Sequence, residues 1–160
     1  MSEEGSGVWD FETGRLRVGP WHGAAHRLDV NLAAVVAEMV TVRTTVALPE
    51  SWQGGLSVEN ARGWINDRDA DASMLLVAQI PSEQPVGMLV LGEVPLPESG
   101  VDLRIGYLFA ESAWGRGLAT ELVSGLIDWA RTQPRIRTLT GGVDPANRAS
   151  VRVLERCGFR

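Results

Sequence analysis

Three groups of residues in the second half of the chain have types and spacings that could do chemistry. The first is Trp114-Gly115-Arg116-Gly117-Leu118-Ala119-Thr120, which runs from a short turn into a helical pattern. Glycines at 115 and 117 let the backbone come close to a ligand. The first N–H groups of the helix that follows lack partners within it and point outward with the positive end of the helix dipole. That arrangement suits a pyrophosphate, and Arg116 adds a positive charge. The same residues also fit a helix start that binds nothing, because glycine turns are common punctuation. The second group is Asn147 and Ser150, three apart and so on one face of a helix. Their plain alternative is a pair of first-turn polar residues beside a capping Asp144. The third is Asp102 with Arg104, which share a strand face and bring a carboxylate that could act as a general base.

Several other chemistries are ruled out. All 15 basic residues are arginine, so there is no P-loop lysine and no Schiff base. A dinucleotide loop would want a third glycine where Thr120 stands, and an acidic residue about 20 positions on, in the arginine-rich stretch Arg135 to Arg137. Cys157 is the single cysteine, which excludes a disulfide framework and a multi-cysteine zinc site. With only His22 and His26 besides, no metal is expected. Cys157 reads as a packing residue, since nothing in its spacing from the histidines supplies a base. The formal net charge of −5 disfavours nucleic acid as a partner and weakly suits a cationic small molecule. There is no apolar run of about 20 residues, and the acidic start MSEEGSG is unlike a signal peptide, so a cytoplasmic protein without a membrane partner is expected.

The elements that must position these residues follow from pattern and punctuation. A chain of 160 residues that is 44% hydrophobic and 22% charged has the size and composition of one soluble domain, expected over residues 1–160 with 1–7 a loose tail. Leu16 and Val18 read as a short strand. Asp29 is expected to cap a helix through Val30, Leu32, Ala33, Val36 and Met39, and residues 41–48 are ambiguous. Ser57 caps a helix carrying Val58, Ala61, Trp64 and Ile65 on one face, followed by a polar loop over 67–71. Residues 74–80 and 86–91 read as a hairpin, and 101–109 as a third strand. A helix over about 116–131 presents Leu118, Leu122, Leu126 and Trp129 in one stripe. Residues 135–143 form a strand. Asp144 and Pro145 open a last helix, which Gly158 ends. This order describes an α/β or α+β domain with a mixed sheet.

The run from Ile105 to Phe159 resembles the GNAT superfamily of acetyl-CoA-dependent N-acetyltransferases. The family's pyrophosphate motif, Gln/Arg-x-x-Gly-x-Gly/Ala, has its counterpart in Trp114 to Ala119, with Trp114 in the first place. WGRGLAT is similar to the form found in the Rim-type branch, which includes ribosomal-protein N-terminal acetyltransferases. Asn147-Arg-Ala-Ser150, followed by Val-Leu-Glu-Arg-Cys-Gly158-Phe159, resembles that branch's second block. The resemblance implies a mixed, mostly antiparallel sheet flanked by helices, and direct transfer of acetyl from acetyl-CoA to a primary amine of a small molecule or a protein N-terminus. It implies that Leu108 and Phe109 pair with the pantetheine arm, which enters between this strand and the one after Pro134. The amide of Leu108 or a close neighbour would polarise the thioester, and Gly115 to Thr120 would hold the pyrophosphate. Asn147 would bond the pantetheine, and Ser150 would protonate the leaving thiolate.

Many members carry an acidic residue at the position of Arg104. Asp102 is therefore expected to take over as base, with Glu93, Glu111, His22 and His26 as further candidates, while Arg104 could bind an acidic group of the substrate. The tyrosine that serves as acid elsewhere in the family has no counterpart, because Tyr107 lies on the strand. Loss of the base would instead leave a non-catalytic acyl-CoA-binding sensor. Trp21 and Trp52 fall where the family forms its acceptor pocket, and many members dimerise. In the family Phe159 begins a further strand. The C-terminal strands are therefore expected to be missing, or an edge strand to come from a partner chain.

Overall fold

A computed structural model describes residues 10–46, 48–142 and 146–160. Six strands lie in sequence order across one sheet: β1 (Phe11–Glu12), β2 (Leu16–Pro20), β3 (Ser73–Gln79), β4 (Gln84–Pro95), β5 (Val101–Phe109) and β6 (Ile136–Gly141). Every neighbouring pair is antiparallel except β5 with β6, which is parallel. The helices are α1 (Trp21–Leu28), α2 (Leu32–Met39), α3 (Val58–Asp71), α4 (Leu118–Ala130) and α5 (Arg148–Arg156). The expected mixed, mostly antiparallel sheet flanked by helices is present.

Side chains alternate across the strands, and each face of the sheet buries its own core. Leu16, Val18, Leu75, Leu89, Leu103 and Ile105 pack against Leu118, Leu122 and Leu126 of α4 and Leu154 of α5. On the other face Leu76, Met88 and Leu108 pack against Trp21, Val36, Met39, Trp64 and Ile65 of α1 to α3. Burying each such aliphatic side chain contributes roughly 1.5–3 kcal/mol, which is what anchors the two helical layers.

The first helical layer departs from the expectation. An additional helix, α1, precedes the expected one, and Asp29 adopts φ 59° and ends α1 in the left-handed region instead of capping α2. Asn31 starts α2, its side-chain oxygen accepting from the Ala34 N–H at 3.0 Å. Residues 67–71 are helical rather than a loop. Arg68 is 5% exposed, and Asp69 accepts from the Trp21 indole at 2.8 Å. Tertiary contacts therefore carry α3 past the point where its apolar pattern ends. Ser57 caps α3 as expected, accepting from the Asn60 N–H at 3.1 Å. Trp21 is a core residue at 2% exposure, not part of a pocket wall.

The last helix begins at Arg148 with Asn147 as its cap; Asp144 and Pro145 lie outside the described residues. No helix among the described residues is long and apolar enough to cross a membrane.

Candidate active site

The pairing of β5 with β6 stops at Ile105 opposite Gly141, with one further bond from the Gly142 N–H to the Ile105 carbonyl at 3.2 Å. On its other side β5 stays paired to β4 as far as Phe109 opposite Gly87. Residues 106–109 thus have a strand on one side and a gap on the other. The direction of their amides follows from two backbone hydrogen bonds. The Ala110 N–H donates to Val86 of β4 at 2.8 Å, while the Ile105 carbonyl faces β6. With a period of two, Tyr107 and Phe109 turn their N–H and C=O groups into the gap, and Leu108 turns its own toward β4. Of the sequence expectation of Leu108 or a close neighbour as the polarising amide, the neighbours Tyr107 and Phe109 are the ones whose N–H groups face the gap. The Phe109 carbonyl is already taken, accepting from the Trp114 indole N–H at 3.0 Å.

A cavity of about 810 Å³ opens from this gap and runs to the start of α4. Of the residues singled out in the sequence, Leu108, Phe109, Trp114, Gly115, Gly117, Leu118, Ala119, Thr120, Asn147 and Ser150 line it. Gly115 and Gly117 adopt φ 76° and 75°, a backbone that ordinary side chains resist. Gly117 caps α4 without a side-chain bond, so no side chain occupies the first amides of the helix. Burial of apolar α4 behind an uncapped, glycine-built N-terminus is the arrangement a phosphate group completes.

Arg116 does not line the cavity. Its carbonyl is instead held by Arg15, whose guanidinium donates to it at 3.0 Å. Arg15 also donates to Glu121 from its side chain at 2.6 Å and from its backbone at 2.8 Å, and Thr13 donates its hydroxyl to the same carboxylate. Burial opposes ionisation of Glu121, but the Thr13 hydrogen bond and the Arg15 contacts outweigh it and hold the carboxyl below its usual range. The turn after β1 is in this way tied to the glycine loop.

Ser150 lies across the gap from β5. The Tyr107 hydroxyl donates to Ser150 Oγ at 3.3 Å, and burial pushes the phenol's pKa up. Asn147 spends its side-chain oxygen on the Ser150 N–H at 3.2 Å. Tyr107, set aside in the sequence for lying on a strand, therefore belongs to the site. The parity of the strand decides it: odd positions of β5 face α4 and α5.

Asp102 is elsewhere. It lies six residues before Leu108 on β5, about 20 Å along the strand. Its carboxylate accepts from Thr138 at 2.7 Å, from Thr140 at 3.0 Å and from Arg104 at 2.9 Å. The Thr138 bond, with help from Arg104 and Thr140, holds its pKa below the usual range despite burial. A carboxylate so held is a weak base, and its visible role is to tie β5 to β6. Arg104 is committed to that same cluster. Three of the other candidate bases are also engaged, Glu93 with Arg135 at 2.6 Å, Glu111 with Arg43, and His22 with Asp69 at 2.8 Å, and the fourth, His26, does not line the cavity. Among the described residues that line the cavity there is no Asp, Glu or His. No cluster among the described residues could hold a metal ion.

Arginines were the signal missed in the sequence. Arg43, Arg148, Arg152 and Arg156 all line the cavity. Arg43 also lies over the Trp114 ring, 5.6 Å from its centre.

Comparison with known proteins adds the family. A family model described as an acetyltransferase (GNAT) domain matches residues 15–160. The Bacillus subtilis (strain 168) protein YkkB, described as uncharacterized, is 34% identical over 62 residues, 39% of this chain and 36% of that protein. The "Probable N-acetyltransferase YjcK" of the same organism is 38% identical over 55 residues, 34% of this chain and 30% of that protein. The matched stretch therefore spans about a third of either relative. Among solved structures, the GNAT-family acetyltransferase from Bacillus anthracis superposes with a TM-score of 0.75 at 20% identity, covering 94% of this chain and 83% of that one. The RimL ribosomal L7/L12 α-N-protein acetyltransferase superposes with a TM-score of 0.65 at 18% identity, covering 90% and 76%. At these identities the structural likeness is one of fold.

Proposed function

The chain belongs to the GNAT acetyltransferase family, and we propose that it transfers an acetyl group from acetyl-CoA to a primary amine of a small molecule or a protein N-terminus, by direct attack. The observation that carries this reading is the gap after Ile105 and Gly141, continuous with the uncapped start of α4. The first amides of α4 receive the pyrophosphate. An arm entering from there meets Phe109 first and Tyr107 last, which puts the reacting end beside Ser150. The backbone N–H groups of Phe109 and Tyr107 hold the arm as a neighbouring strand would, and Tyr107 N–H, the deeper of the two, is the donor to the thioester carbonyl. Acetyl-CoA supplies the activated acyl group.

The transfer forms a bond from the amine nitrogen to the acyl carbon and breaks the carbon–sulfur bond. Ser150 gives its proton to the departing thiolate, and Tyr107 stands behind it as a donor to Oγ. The proton lost by the amine leaves through water, since no acidic or histidine side chain lines the described cavity. The WGRGLAT run and the Asn147 to Ser150 block support a relation to the Rim-type branch.

The lack of a carboxylate in the described lining favours one second reading, a non-catalytic acyl-CoA-binding sensor. Calorimetric titration with acetyl-CoA, followed by a thiol-release assay over a panel of amines and peptides, separates the two. Binding with turnover supports the enzyme, and binding without turnover on any acceptor supports the sensor. No binding removes both.

A further inference from the structure

Tyr107 and Phe109 both turn an N–H and a C=O into the gap, yet the two pairs differ. The Phe109 carbonyl accepts from the Trp114 indole N–H at 3.0 Å, an ordinary length for such a bond. Among residues 106–109, Tyr107 therefore keeps the one complete donor–acceptor pair that faces the gap. The ring that makes this difference lines the cavity and is 44% exposed, so packing in the core does not fix it there.

Other contacts do. The Trp114 backbone N–H donates to the Glu111 carbonyl at 3.1 Å and closes the short turn Glu111–Ala113. Arg43 lies over the ring, 5.6 Å from its centre, and forms an ion pair with Glu111 of the same turn. A guanidinium over an indole face is attractive, and here it is offered from a fixed segment. Thr45, two residues on, is fully buried; its hydroxyl donates to the Thr41 carbonyl at 2.6 Å and accepts from the Gly54 N–H at 2.8 Å. The indole is thus held by its edge and by its face against one backbone carbonyl of the binding gap.

We propose that Trp114 is a positioning residue that sets the register of the pantetheine arm in the gap, by keeping the Phe109 carbonyl from it. This rests on the acetyl-CoA reading above. A strand edge offers equivalent N–H and C=O pairs every two residues, about 7 Å apart, so an arm with successive amides has more than one place to seat. With the Phe109 carbonyl capped, an amide seated at Phe109 forms one bond and an amide seated at Tyr107 forms two. The arm is drawn to the deeper place, which carries its thioester to Ser150. Without the indole N–H both places are complete, and part of the bound ligand stops about 7 Å short of the serine.

The test compares Trp114→Phe, which removes the N–H and keeps a ring under Arg43, with Trp114→His, whose Nε2 falls at the ring position of the indole nitrogen. In calorimetric titration with CoA, Trp114→Phe is expected to bind about three- to tenfold tighter than the native chain, the effect of one released hydrogen-bond acceptor. Trp114→His should bind as the native chain does. In steady-state turnover, kcat and the KM for acetyl-CoA should fall by the same factor in Trp114→Phe, leaving kcat/KM unchanged, the mark of a second and unproductive seat. Arg43→Gln loosens the ring without touching its N–H and should shift both quantities the same way by less; it carries the test if melting curves show Trp114→Phe to be unfolded. Unchanged or weaker CoA binding in Trp114→Phe overturns the register role and leaves the acetyl-CoA reading in place, as does a lower KM with kcat unchanged. An equal loss of kcat/KM in Trp114→Phe and Trp114→His makes the ring a plain structural support and also overturns it. If the native chain binds CoA but turns over no acceptor, the affinities alone decide. Failure of the native chain to bind CoA removes the underlying reading as well.

Discussion

The hydroxyl of Tyr107 points its proton at Ser150 Oγ from 3.3 Å away, so the serine receives a hydrogen bond from the strand and keeps its own proton to give. Two side chains on different elements thus share one orientation. Ser150→Ala is expected to lower turnover by about 10²-fold or more, the usual scale for loss of a positioned acid, with CoA affinity changed much less. Tyr107→Phe should lower turnover by roughly tenfold, the worth of one such hydrogen bond. Steady-state kinetics alongside titration with CoA measures both. If Ser150→Ala turns over at the native rate, the acid is some other group.

The same contact has a pH dependence. Burial raises the pKa of Tyr107 above its usual value near 10.0, so the folded state favours the protonated phenol. Its contribution to stability is complete below the unfolded pKa and is lost as pH rises through the folded one. Native protein should therefore lose stability relative to Tyr107→Phe only above about pH 10. Thermal melts across that range provide the comparison.

Gly117 has φ 75° and caps α4 with its backbone alone. Gly117→Ala should cost about 1–2 kcal/mol through strain in the left-handed region. Gly117→Glu adds bulk and a negative charge where the phosphates belong, and should abolish CoA binding. Melting curves and titrations on the two variants resolve strain from repulsion. Full CoA affinity in Gly117→Glu would place the phosphates elsewhere.

Glu121 joins the turn after β1 to the glycine loop through Arg15 and Thr13. Its pKa is below the usual 4.5. The stability it adds is present above that value and lost as pH falls through the folded one. Native protein is expected to be more stable than Glu121→Gln at neutral pH, with the difference shrinking below about pH 4.5. Denaturant titrations at several pH values decide this; a difference that stays constant down to pH 3 would contradict it.

Asp102 offers a contrast between structure and catalysis. Asp102→Asn should lower stability by about 1–3 kcal/mol, because Thr138, Thr140 and Arg104 lose a charged acceptor. It should leave CoA affinity as it is. A collapse of turnover with stability intact would instead make Asp102 the base.

What could be read from the sequence depended on how local the signal was. Strand β5 and the face of α4 follow from their own periodicity, and Ser57 caps α3 because its hydroxyl reaches only three residues ahead. Asp29 and Asn31 are both good caps by type, and only the left-handed turn that ends α1 selects between them. Residues 67–71 look like a loop because what holds them helical, Trp21 and the buried wall around Arg68, is distant in sequence. The site divides along the same line. The glycine loop and the Asn147 to Ser150 block are contiguous runs and were legible. The partnership of Tyr107 with Ser150, the clamp from Arg15 to Arg116, and the occupation of Asp102 by Thr138 and Thr140 each join separate elements. The choice of free amides depends on strand parity and register, which single residues do not display.

The six strands lie side by side in the order in which they are made. A chain emerging from its N-terminal end can add each antiparallel strand to the one before it, with no gap held open for a later arrival. The excursion through α1 to α3 must close before β3 can find β2, and the parallel crossover through α4 before β6 can find β5. These are the two steps with a long loop to order, and loop closure sets their cost. Docking of β6 is also the event that creates the cleft, so the binding site comes into being only once the crossover through α4 has closed.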